Sequence, residues 1–137
     1  MLKIQQPKRT MITTEEKTRY NALEKQIIVS MQSIMNARER VSRARIGELS
    51  YYIDQLPPYR ALVIYGHALN AISERMDEAD PYKSPLKNMG RTITQTMGQE
   101  FTEAMDDNPD FYYQQKDIIA NNLTNIAKTL RRVAKEA

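Results

Sequence analysis

Between Thr13 and Gln55 the chain has no proline and a single glycine, Gly47, while apolar residues recur at helical spacing. One continuous helix of about 40 residues would measure ~60 Å at a rise of 1.5 Å per residue. The rest of a 137-residue chain cannot cover such a rod. The stretch therefore predicts self-association or a large partner, and a binding protein rather than an enzyme.

The chain reads as all-α, with four helices: one very long N-terminal helix (about 13–55) followed by a shorter helical bundle. No stretch shows the period-two alternation of a strand. Thr13 and Glu16 make a capping-box pattern at the start of the first helix, and Pro57-Pro58 must end it. A second helix runs from there to about Ala79, with Leu62, Tyr65, Leu69, Ile72 and Met76 three and four apart on one stripe. Ser84-Pro85 offers an N-cap and N1 pair for a third helix reaching about Met105. In it Gly90, Thr94 and Gly98 form a strip of small residues suited to close helix approach. Asp106-Asp107-Asn108-Pro109 breaks the chain and caps a fourth helix, whose stripe is Ile119, Leu123, Ile126, Leu130 and Val133. Lys128, Arg131, Arg132 and Lys135 sit towards its C-terminal end, where cations offset the helix dipole. One domain, residues 13–137, follows an arm, residues 1–12, whose charge, Pro7 and scarce apolar content predict flexibility.

Placing Tyr20, Ile27, Ile34 and Val41 at one heptad core position puts Leu23, Ser30, Ala37 and Ala44 at the other, a coiled-coil-like seam. An amphipathic helix lying on its own bundle is the competing reading. In a parallel dimer Arg40 would face Arg45 of the second copy, a like-charge contact costing a few tenths of a kcal/mol. Antiparallel or domain-exchanged packing avoids it, so a homodimer of that kind is the expected oligomer. Charge is uneven along the chain: Lys and Arg predominate in residues 1–60, Asp and Glu in 61–116, Lys and Arg again in 117–137. Such segregation bears on steering and assembly rather than on fold.

No catalytic, cofactor or metal motif stands out. The absence of cysteine excludes disulfides, thiolate chemistry and Cys-ligated zinc. His67, the one histidine, has neither nucleophile nor orienting acid beside it in sequence and reads as structural. Asp106, Asp107, Asn108 and Asp110 lack the glycine and the spacing of a calcium loop. The cluster Arg38, Arg40, Arg43 and Arg45 could track phosphates, although it wraps around the helix and is diluted by Glu39 and Glu48. Tyr51 and Tyr52 suit an interface or a base-stacking platform equally. No signal-peptide pattern or membrane-spanning run is visible, so a cytoplasmic protein is expected.

Tyr51-Tyr52-Ile53, together with Thr102, Ala104, Asp106-Asp107, Phe111, Ile119, Ile126 and Ala127, resembles the lambda-type phage Gam proteins. The likeness covers the triplet and about thirty residues near the C-terminus. It implies a small, all-helical, dimeric inhibitor of a host recombination nuclease. The chain departs from that pattern in being basic overall, so only its acidic segment 61–116 could imitate DNA. The resulting expectation is a non-enzymatic binding or regulatory protein with a protein partner. The alternative is a nucleic-acid-binding protein using the Arg38–Arg45 segment.

Overall fold

The computed structural model describes residues 12–136. Among them are six helices and no strand: α1 (Thr14–Asn36), α2 (Arg43–Ile53), α3 (Pro58–Glu74), α4 (Lys83–Thr96), α5 (Gln99–Asp107) and α6 (Pro109–Glu136). None is long and apolar enough to cross a membrane. The arm expected over residues 1–12 lies, apart from Ile12, outside the described residues.

The architecture is organised around α3. Pro57 and Pro58 set its start, with proline at N1 where no backbone donor is lost. From Tyr59 to Ser73 it is apolar on nearly every side, and His67 is the one exposed position. A helix of that composition must be surrounded, and each of the other five packs against it. Leu62, Leu69 and Ile72 of the predicted stripe are buried, while Met76 falls just past the helix end. The α6 stripe also holds, with Ile119, Ile126, Leu130 and Val133 buried and Leu123 half-buried.

The single helix over 13–55 does not form. It ends at Asn36, Ala37–Ser42 runs without helix, and α2 begins at Arg43. Ala37 and Ser42 are extended, with ψ of 148° and 160°. The hydrogen bonds a rod would have made are replaced by tertiary ones. Arg75, at the end of α3, donates from Nη2 to Ala37 O and accepts from Val41 N at 3.4 Å. Arg40 pairs with Asp77 at 2.7 Å, and the Ser42 hydroxyl caps α2 by accepting from Arg45 N at 3.1 Å. The bend lets Ile27, Met31 and Ile34 of α1 and Ile46, Leu49 and Ile53 of α2 all enter one core, which a straight rod could not do. The premise that the N-terminal helix is too long for its own chain is thereby removed.

The helix expected over 85–105 is likewise two, broken at Met97-Gly98. Its start is Lys83 rather than Ser84-Pro85. The Tyr82 side chain at the N-cap position does not cap the helix, and Lys83 Nζ reaches back to Ser73 O (2.8 Å) and Met76 O (3.1 Å). Gly90 and Thr94 of the small strip lie where α4 crosses α3. A Cβ on Gly90 would lie 2.9 Å from Gly66 O, and one on Gly66 would lie 3.1 Å from Thr94 Cγ2 and 2.6 Å from Ile93 Cγ2. Gly98 has open space around it and belongs to the break. At the N-terminus both bonds of the predicted Thr13–Glu16 capping box are present, at 2.9 and 3.1 Å. Asn108 Oδ1 accepts from Asp110 N and Phe111 N at the head of α6.

Candidate functional site

The most polar part of the interior joins α1, α3 and α5. Arg60 is 3% exposed. Its Nη2 meets Asp106 Oδ2 at 2.6 Å, and its Nη1 donates to Glu24 Oε2 at 2.9 Å and Asn21 Oδ1 at 3.0 Å. Tyr59 donates its hydroxyl to the other oxygen of Asp106, and the guanidinium lies 5.6 Å from the Tyr20 ring centroid. Burial opposes the charge of Arg60, but the bonds to Asp106 and Glu24 outweigh it and hold its pKa above the ordinary value. Glu24 is shifted upward, chiefly by burial, against the attraction of Arg60. Tyr59 is pushed far up by burial and by its bond to Asp106.

Mutual satisfaction makes this knot structural. Both oxygens of Asp106 are engaged by Tyr59 and Arg60, and Arg60 in turn is engaged by Asp106, Glu24 and Asn21, so the groups of the knot satisfy one another. A buried pair of this sort contributes little net stability, but removing one partner leaves an uncompensated buried charge. Among the described residues no group of His, Asp and Glu is placed to hold a metal ion.

Alongside the knot, α1 and α3 leave a groove of about 420 Å³. One wall is Ile28, Met31 and Met35 of α1, and the other is His67, Ala71 and Glu74 of α3. Ile28 and Met35 are 42% and 43% exposed, so both meet solvent in the open groove. A cleft of about 290 Å³ beside the knot shares Ile28 and His67 with this groove, so the two run together. His67, read from sequence as structural, is therefore an exposed wall residue. Glu74 on the groove and Glu103 on the cleft have no ion-pair partner among the described residues.

The arginines singled out in sequence are not brought to one face. Arg40 is held by Asp77, Arg43 donates to Ala134 O at 2.9 Å and so ties α2 to the end of α6, and Arg45 pairs with Glu48 at 2.8 Å. Arg38 is exposed in the linker. Tyr51 and Tyr52 lie exposed at the end of α2 with ring centroids 5.4 Å apart, edge to face. Of the expected seam, Ile27 and Ile34 are buried within the single chain, Tyr20 and Leu23 are half-buried against the same core, and Val41 lies in the linker.

Of the groove residues, Ile28 has no role in the sequence analysis, His67 reads there as structural, and the methionine content, Met31 and Met35 included, suits a core and a plastic binding surface equally. A signal was present: Ile27-Ile28-Val29 is an apolar run wider than one helix face can bury, so part of it had to stay exposed. Comparison with protein-family models, curated proteins and solved structures returns no match to this chain.

Proposed function

We propose that the chain is a non-enzymatic binding protein that takes an amphipathic helix of a partner protein into the groove between α1 and α3. The observation that carries this reading is the exposed apolar pair Ile28 and Met35, which flank buried Met31 on α1 and face Ala71 and His67 across the groove. Exposed apolar surface rimmed by polar groups marks interaction sites. Walls built at helical spacing suit a third helix laid between them. Glu74 and Glu103 favour an occupant with Lys or Arg beside its apolar stripe. Inhibition of a host DNA-processing enzyme, which the Gam resemblance implies, is one form of this reading, with the target supplying the helix.

The test compares proteins retained by the wild type and by Ile28→Glu with Met35→Glu, helicity being checked by circular dichroism. The reading expects a distinct heterologous partner held by the wild type and lost from the variant. An unchanged set of captured proteins overturns it. So does a doubled mass in light scattering that the two substitutions abolish, because the groove would then be filled by a second copy.

A further inference from the structure

We infer that the outer face of the last turns of α6 is a second, separate binding surface, one that engages the phosphate backbone of duplex nucleic acid. Lys128, Arg131, Arg132 and Lys135 are all exposed. At 100° per residue they fall within one arc of about 100° on the side away from the core stripe. No Asp or Glu occurs from Ile118 to Lys135. Among the described residues none of the four has an ion-pair partner, whereas Lys17, Arg40, Arg45 and Arg60 do. Arg43, bonded to Ala134 O, adds a cation at the same end of the helix.

The helix dipole accounts for cations in the final turn. It does not account for four on one face beginning two turns earlier, nor for what adjoins them. Lys128 and Arg132 also line a groove of about 510 Å³ between α4 and α6. Its other polar residues are uncharged: Asn88 and Thr92 from α4, and Asn122, Asn125 and Thr129 from α6. Two cations on a rim of amides and hydroxyls, with no carboxylate in the lining, give neutral and charged donors together, the combination that holds phosphate oxygens and sugars.

The same surface argues against other anionic ligands. An interfacial membrane helix needs bulky apolar side chains beside its cations, and the exposed residues from Asn121 to Lys135 are only Asn, Thr, Lys, Arg and the small Ala127. A single-strand platform needs aromatic rings, and α6 has none after Tyr113. Backbone contact without base readout remains, so binding should be weak, tolerant of sequence and strongly salt-dependent.

The test is fluorescence anisotropy with two labelled duplexes of unrelated sequence, starting at ~50 mM salt. Log affinity should fall linearly with log salt, with a slope of about −2 to −4 for contacts of this number. Lys128→Gln with Arg132→Gln should reduce that slope by about two and weaken both duplexes alike, at least tenfold. Lys25→Gln, an exposed cation on α1, should change neither quantity. Ile28→Glu should leave duplex binding intact, so failure of the α1–α3 groove is separable from failure here. No anisotropy change with either duplex, equal weakening by Lys25→Gln, or binding to phosphatidylserine vesicles or poly-glutamate in place of duplex would each overturn the assignment.

Discussion

Replacing Gly90 with alanine sets two effects of similar size against each other. Alanine favours a helix interior over glycine by about 0.8–1 kcal/mol. The new Cβ, however, would stand 2.6 Å from Asn70 Oδ1 and 2.9 Å from Gly66 O. The Asn70 side chain can turn away, but the Gly66 carbonyl belongs to the backbone of the buried central helix. Relief therefore requires α3 and α4 to part by a few tenths of an ångström along a close-packed crossing. Overpacking of a core costs about 1–3 kcal/mol, and a backbone obstacle places this case in the upper half, so the net loss should be about 1–2 kcal/mol. Gly47 is the internal control: it lies inside α2 with nothing within 4 Å of its would-be Cβ. Gly47→Ala should gain about 0.5–1 kcal/mol. The same chemical change is thus expected to carry opposite signs at two positions, separated by about 1.5–3 kcal/mol. Urea unfolding followed by circular dichroism reads this as midpoints moving in opposite directions with an unchanged m-value. Gly90→Ala stabilising the protein as much as Gly47→Ala would refute the close α3–α4 approach.

Arg60→Met should cost about 3–5 kcal/mol by stranding Asp106 and Glu24, whereas Tyr59→Phe should cost about 1–2 kcal/mol because Arg60 still holds both Asp106 oxygens; similar losses in urea unfolding would contradict the knot. Ile34→Ala should cost about 2–5 kcal/mol with a melting temperature independent of protein concentration, since Ile34 is covered within one chain. Glu24, raised above its ordinary 4.5 by burial, holds its proton more tightly folded than unfolded. Its contribution is therefore complete below pH 4.5 and lost as pH rises through the folded value. Relative to Glu24→Gln, the wild type should lose stability between pH 4.5 and 7; a constant difference in unfolding free energy across that range would contradict the assigned shift.

The two helices most legible in sequence are α3 and α6, because an unbroken stripe three and four residues apart dictates the element in both and the buried face in α6, whereas α3 is buried on nearly every side. The bend at Ala37–Ser42 was not legible. No proline or glycine marks it, and its cause is Arg75, 38 residues downstream, donating to Ala37 O. The break at Gly98 was masked by its register with Gly90 and Thr94, which invited one continuous strip. The Arg60 knot joins residues 36 to 46 positions apart, and local pattern carries no trace of such pairing. The cations of α6 are visible in sequence, where the helix dipole suffices to explain them. That α4 brings Asn88 and Thr92 beside them is a fact of packing. The Arg38–Arg45 cluster failed for the converse reason: closeness in sequence put Arg40, Arg43 and Arg45 near three different partners.

The claim that the α1–α3 groove receives a partner helix is tested most directly by a photo-crosslinking residue placed at Met35, with the same residue at Gln26 on the exposed side of α1 as control. Irradiation in the producing cells, followed by mass spectrometry, should yield from position 35 a heterologous adduct whose linked peptide is an amphipathic helix bearing Lys or Arg. Position 26 should give none. Adducts to the chain itself alone, or the same products from both positions, would contradict it.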